Sequence, residues 1–172
     1  MATCVVKTHK IPINVANRSA KWGQKGRKEG IYMSFVGQHK HSLDAKNRVF
    51  IPAKYREELG GEFYITRKFE PYLSVYTAAQ WAEYVDVIAS LPEADAAQLQ
   101  DYILGAAQKC NPDSSGRIII DDILLKHAKI QKSIVFVGSG KQIKIFAEEV
   151  WNEREDKRDP DTIRNIMLKY GL

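Results

Sequence analysis

Residues 44–56 read DAKNRVFIPAKYR, and the fold depends on how this stretch is interpreted. It opens with Asp44, passes through a short polar loop to Arg48, and continues as a β-branched and aromatic run. Pro52 then starts a short helical piece that ends in Arg56. Asn accepts a left-handed backbone better than most non-glycine residues, so Asn47 suits a tight loop over Asp44–Asn47. Asp44 is placed to accept backbone N–H groups across that loop. A weaker version of the pattern begins at Asp113 as DSSGRIIIDDILL. Arg48 and Arg117 stand 69 positions apart, and the same offset carries Asp44 to Asp113 and Ile65 to Ile134. An offset of 70 lays Tyr76–Trp81 (YTAAQW) on Phe146–Trp151 (FAEEVW). Internal repetition of this kind decides the architecture before single elements are assigned.

Working outward, Phe35–Leu43 reads as a strand, with His39 and His41 on one side of it. Arg48–Ile51 is a short strand and Ala53–Leu59 a short helix closed by Gly60 and Gly61. Glu62–Arg67 and Tyr72–Tyr76 are strands divided by a turn at Glu70 and Pro71. Thr77 and Gln80 form a capping box, and the helix they open puts Trp81, Tyr84, Val85 and Ile88 on one face. A second helix over about Ala94–Ala107 completes a connector. The later copy gives a loop at Asp113–Gly116, a strand Arg117–Ile120 and a helix Asp121–Ala128. Strands Ser133–Val137 and Gln142–Phe146 follow, then a helix from Glu148. Asp159 and Pro160 cap a final helix whose stripe of Ile163, Ile166, Met167 and Tyr170 requires a partner surface. The resulting division is a first repeat at 35–78, a helical connector at 79–107, a second repeat at 108–149 and a helical tail at 150–172.

The segment SLDAKNRVFIPAKYREEL, residues 42–59, resembles the first repeat of the MraZ family, bacterial regulators of division and cell-wall genes. That family carries two SpoVT-AbrB-type domains, with the signature D-x-K-G-R followed by a strand, Pro and a short helix. The likeness spans about residues 33–155. Asn47 stands where the family usually has Gly, and in the second copy Asp121 and Leu125 occupy the places of Pro52 and Arg56. The resemblance implies an α+β fold, with tandem SpoVT-AbrB-like repeats interleaved into one small pseudo-two-fold β-barrel with connecting helices. It also implies a ring-like homo-oligomer and double-stranded promoter DNA as partner. The implied function is repression of the division and cell-wall gene cluster, including the protein's own promoter, in the cytoplasm at the nucleoid. AbrB-like antitoxins, which bind proteins, are the alternative reading.

The net charge of +5 is unevenly spread. Residues 1–32 hold seven Lys/Arg and one Glu and lack periodicity. They read as a disordered basic extension, or as sequence ahead of a true start at Met33. Gln38–Lys68 carries +3, Ser114–Ala147 carries +4, and Glu70–Asp113 between them carries −6. Two basic repeats around an acidic connector suit a polyanion met on one side. No apolar run approaches the length of a membrane span. Cys4 and Cys110 have no metal-ligand spacing, and a reducing compartment with Cys110 as a small core residue follows. No nucleophile elbow, phosphate-binding glycine loop or zinc-protease motif is present, so an enzyme, a cofactor and a small-molecule substrate are not expected. His39 and His41 lack a third ligand. The expected DNA contacts are Lys40, Lys46, Arg48, Lys54 and Arg56, with Arg117 from the second copy. Asp44, Asn47, Asp113 and Gly116 shape the loops. The first copy keeps more cations, since Ser115, Ile123 and Leu125 replace Lys46, Lys54 and Arg56, and it is expected to make most of the contact.

Overall fold

The computed structural model describes residues 35–172. The expectations for residues 1–32 lie outside the described residues.

The strands are short, mostly apolar and β-branched runs whose successive residues face opposite sides of a sheet, alternating with polar residues at the edge and running continuously apolar within Ser133–Gly138, which is covered on both faces. They are β1 (Gln38–Ser42), β2 (Arg48–Phe50), β3 (Phe63–Arg67) and β4 (Leu73–Thr77) in the first copy. In the second copy they are β5 (Gln108–Cys110), β6 (Arg117–Ile119), β7 (Ser133–Gly138) and β8 (Ile143–Ala147). Short helices α1 (Ala53–Leu59) and α4 (Asp122–His127) follow β2 and β6. Helices α2 (Ala78–Ala89) and α5 (Glu148–Asp156) follow β4 and β8. The capping box at α2 is present. The Gln80 N–H donates to Thr77 Oγ1 at 3.3 Å and the Thr77 N–H to Gln80 Oε1 at 3.0 Å. Trp81, Tyr84 and Val85 are partly covered and Ile88 is buried, as the helical spacing requires.

The connector departs from expectation after α2. Helix α3 spans only Glu93–Leu99 and runs into a π-helical stretch, Gln100–Leu104. Gln108–Cys110 is strand, paired with Ile65, Tyr64 and Phe63. This strand lies just past the expected helix, at the start of the second repeat, and satisfies its backbone groups on the edge of β3.

All eight strands pair antiparallel, and the two copies interleave. One sheet has the order β1-β7-β8-β4-β3-β5, and β2 and β6 form a separate two-stranded ribbon. The ladders do not close into a ring among the described residues. The main core fills the space between one sheet face and the ribbon with α1 and α4. It joins Phe63, Ile65, Ile134, Phe136 and Ile145 to Val49, Ile118, Tyr55 and Leu124. The opposite sheet face carries α5, through Val135, Phe146 and Trp151, and α2, through Tyr64 stacked on Trp81.

Registers correct one expectation. Ile65 faces Val75, whereas Ile134 faces Ala147 and it is Phe136 that faces Ile145. Val75 and Ile145 are the residues related by the offset of 70, so Ile65 corresponds to Phe136, an offset of 71. The connection from α4 to β7 is longer than that from α1 to β3, and the simple offset fails beyond it.

The final helix, α6 (Pro160–Tyr170), has the expected caps. Asp159 accepts from the Asp161 and Thr162 N–H groups at 3.2 Å each, Pro160 opens it, and Gly171 ends it at φ 72°. Its apolar stripe is not buried. Ile163, Ile166, Met167 and Tyr170 are all exposed.

Candidate nucleic-acid interface

The two Asp–Arg loops are built alike. Asp44 Oδ1 accepts from the N–H groups of Lys46 (2.8 Å) and Arg48 (2.9 Å), and Oδ2 accepts from Arg48 Nε at 2.6 Å. Asp113 Oδ1 accepts from the N–H groups of Ser115 and Arg117, both at 2.9 Å, and Oδ2 from Arg117 Nε at 2.9 Å. Each aspartate also closes its loop through its own N–H and C=O, to Arg48 and Asn47 in one copy and to Arg117 and Gly116 in the other. The second loop has lost cations in sequence but none of this geometry.

The Arg48 N–H holds the Asp44 carboxyl down at about 2, against an ordinary 3.8, with the Lys46 N–H and the Arg48 side chain adding to it. Asp113 is lowered too, chiefly by the Arg117 N–H. A depressed carboxyl contributes stability that is fully present above its unfolded value and is lost as pH falls through the folded value. Thermal melts of the wild type and Asp44→Asn are therefore expected to differ above pH about 4 and to converge as pH approaches about 2. Equal melting temperatures of the two proteins at neutral pH would rule this out.

Asn47 adopts φ 57°, the left-handed conformation expected of it, and Gly116 adopts φ 80°. Asn47 Nδ2 also donates to Asp122 Oδ1 at 2.7 Å, tying the first loop to the start of α4. Gly116 is covered by the Arg56 guanidinium, which a Cβ at that position would strike. Gly116→Ala is thus expected to cost about 1–2 kcal/mol from the backbone alone and to displace Arg56. Asn47→Gly should leave the loop conformation intact and lose only the Asp122 bond. Chemical denaturation of both variants checks this, and a Gly116→Ala protein as stable as the wild type would contradict it.

The expected contact residues do not form one surface. Arg48 and Arg117 do come together. Val49 and Ile118 point inward and are buried, so Arg48, Phe50, Arg117 and Ile119 share the outer face of the ribbon. Arg48 lies opposite Ile119 and Phe50 opposite Arg117. Both arginines line one shallow cleft together with Gln108, Lys109 and Asn111. Lys46 and Lys54 are exposed, on the first loop and on α1.

Two others are elsewhere. Lys40 alternates with His39 and His41, which pack edge-on to Tyr55 and Phe136 on the core side. Lys40 therefore projects from the opposite sheet face, where it pairs with Glu148 of α5 at 2.6 Å. Arg56 is half-buried against the second loop, with its Nε enclosed and without a hydrogen-bond partner. Further cations counted in the charge map are also engaged. Lys68 donates to the Tyr84 hydroxyl at 2.7 Å, with burial pushing its amine down to about 8, and Arg67 donates to the Tyr102 carbonyl at 2.6 Å. Composition missed Phe50 and Ile119, which a core reading of an apolar run would bury. Strand alternation around Val49 and Ile118 is the signal that could have exposed them.

Among the described residues no group of three or more His, Cys, Asp or Glu side chains is arranged to hold a metal ion. Burial pushes the Cys110 thiol up to about 12, and His127 is occupied by the Glu70 carbonyl at 3.0 Å. Among the described residues no helix is long and apolar enough to cross a membrane. A two-stranded ribbon bearing two loop-braced arginines is instead a shape and charge that duplex DNA accepts.

A family described as "MraZ protein, putative antitoxin-like" matches residues 34–101 and 103–163. A protein of Caldanaerobacter subterraneus named "Transcriptional regulator MraZ" is 38% identical over 126 residues, 72% of this chain and 88% of the relative. Proteins of the same name from Lachnoclostridium phytofermentans and Heliobacterium modesticaldum are 37% and 34% identical, each over 80% of this chain and 98% and 99% of the relative. The match takes in both Asp–Arg loops, both sheet-forming halves and the connector between them, and on that ground the chain belongs to the MraZ family, whose curated relatives are transcriptional regulators and not enzymes.

Proposed function

We propose that this chain is a sequence-specific DNA-binding transcriptional regulator, a repressor of the division and cell-wall gene cluster that includes its own promoter. The observation that carries this reading is the pair Arg48 and Arg117 on one exposed ribbon face, each steered by its own aspartate. A guanidinium held by its Nε keeps its two terminal nitrogens free to fork onto guanine O6 and N7 or onto a phosphate. Lys46, on the Asp44–Arg48 loop, and Lys54, exposed on α1, serve as phosphate contacts. Arg56 acts through the second loop, which it covers, and Lys40 acts on neither, being on the far sheet face.

The reading includes an architecture. The two copies, 35–78 and 108–149, are related by a pseudo-two-fold axis and together make one barrel-like unit joined by the connector 79–107. Support comes from the strand order, which reads the same from either end when β1 is exchanged with β5, β3 with β7 and β4 with β8. Leu73 opposite Ile145 and Val75 opposite Ile143 obey the same exchange, as do the two ribbon pairs. The tail 150–172 serves assembly. Exposed apolar residues of α6, together with Phe69, 91% exposed at the β3–β4 turn, support a homo-oligomer, which closes as a ring when unlike surfaces of the chain meet head to tail. The protein would act in the cytoplasm at the nucleoid.

The test is duplex binding by the purified protein across a salt series, using fragments of its own genome. Selective retention of promoter fragments is expected, with affinity falling steeply as salt rises. Lys46→Ala and Lys54→Ala should weaken all duplexes alike and flatten the salt slope by about one unit each. Absence of binding at low salt would remove the reading. The exposed face of α6 favours a second reading, a protein-binding module related to antitoxins. A stoichiometric protein partner that co-purifies through α6 would favour it.

A further inference from the structure

The arginines account for only half of the ribbon's outer face. The other half is apolar, with Phe50 50% exposed and Ile119 54% exposed. Single exposed apolar residues are ordinary on a protein surface. These two are not scattered. Each stands directly across the ladder from an arginine of the other strand, so guanidinium and apolar side chains alternate in a two-by-two array. The Arg117 guanidinium lies 5.7 Å from the centre of the Phe50 ring. Val49 and Ile118 beneath them are buried, so the array cannot turn inward. An apolar protein or lipid partner seated here would strip water from two guanidinium groups without replacing their hydrogen bonds, which is costly. A duplex groove supplies acceptors and apolar surface side by side.

We propose that Phe50 and Ile119 read thymine 5-methyl groups in the major groove, beside the guanines gripped by Arg48 and Arg117. This rests on the DNA-binding reading above. In the major groove guanine offers the acceptor pair that suits arginine, and thymine alone offers a methyl group. The groove is wide enough for a two-stranded ribbon. Directly opposed side chains on such a ribbon stand about 4.5–5.5 Å apart, one to two base-pair steps of about 3.4 Å. Each arginine and its apolar neighbour would therefore address adjacent or next-adjacent base pairs. The ribbon would read two guanine–thymine elements in opposite orientations, one through Arg48 with Ile119 and one through Arg117 with Phe50.

The experiment replaces thymine by deoxyuridine, which deletes the methyl group and leaves every base-pair hydrogen bond. Duplexes selected by the purified full-length protein from a randomised pool are resynthesised with deoxyuridine at one thymine position at a time. Wild-type affinity is expected to fall about three- to fivefold at each contacted methyl, next to guanines whose replacement also weakens binding. Phe50→Ala and Ile119→Ala should each bind thymine and deoxyuridine duplexes equally at one of those positions. Equal wild-type affinity for every deoxyuridine duplex overturns the inference without touching DNA binding itself, and needs no variant to fold. It is also overturned if Phe50→Ala changes the particle mass while thymine discrimination persists, since the patch is then a contact between copies. Failure of the pool to yield any selected duplex removes the DNA-binding reading, and this inference with it.

Discussion

Arg48→Ala combined with Arg117→Ala is expected to abolish discrimination between a promoter duplex and random DNA. One forked arginine–guanine contact is worth about 1–3 kcal/mol, so losing both costs roughly thirtyfold to more than ten-thousandfold in specific affinity per protomer. The loss grows further where an oligomer engages several sites at once. Surviving cations should leave weak, salt-sensitive binding to any duplex. Neighbouring residues in sequence favour Arg48 as the stronger contact. The loops themselves argue for parity, since Asp44 and Asp113 hold their arginines by the same set of hydrogen bonds. Single variants measured side by side decide between these. Arg48→Lys separates base reading from charge, because lysine keeps the cation and loses the fork. Both Asp–Arg pairs are substantially exposed, so the variants should keep their melting temperature. Promoter affinity that survives the double replacement would show that the arginines serve only to pin the loops.

Ile166→Glu combined with Met167→Glu is expected to collapse the assembly to a single chain, or to a much smaller particle, without unfolding it. Helix α6 carries no buried residue, so its apolar stripe adds nothing to the core of the chain. Ile163, Ile166, Met167 and Tyr170 together present a row that water covers in a lone protomer. Burying such a row is worth about 25 cal/mol for each Å² of apolar surface, and two carboxylates placed in it would have to be desolvated. Light scattering reports the mass and calorimetry the melting temperature. An unchanged mass would move the interface away from α6. Loss of mass with loss of folding would show that α6 supports the core after all. Specific DNA affinity should fall with the mass, while the affinity of one protomer for one short site should not.

Much of the chain was legible because its signals are local. Turn chemistry at Asp44–Asn47 and Asp113–Gly116, the Thr77–Gln80 box and the caps of α6 each involve residues within a few positions of one another. Their hydrogen bonds form the same way whatever lies beyond them. The repeat was legible too, because the two loops need the same aspartate and arginine at the same spacing. What sequence could not decide was everything set by pairing across distance. Gln108–Cys110 opens the second copy, but only the ladder shows that it pairs with β3 of the first. The offset of 71 between Ile65 and Phe136 depends on a longer connection ahead of β7, visible only in the ladders.

The candidate site divides along the same line. Sequence by itself determined the family, the two braced arginines and the left-handed turn at Asn47, because each follows from residues adjacent in the chain. Tertiary structure alone decided which cations share a surface. Lys40 is eight positions from Arg48 in sequence but sits on β1, on the sheet face that carries α5, whereas Arg48 belongs to the separate ribbon on the other side of the core. Arg56 is basic but lies against Gly116, a residue of the other copy. Phe50 and Ile119 are apolar and exposed, because the buried positions of a three-residue ribbon strand are already taken by Val49 and Ile118. Charge and hydropathy belong to residue types, whereas accessibility belongs to the packing of segments far apart in the chain.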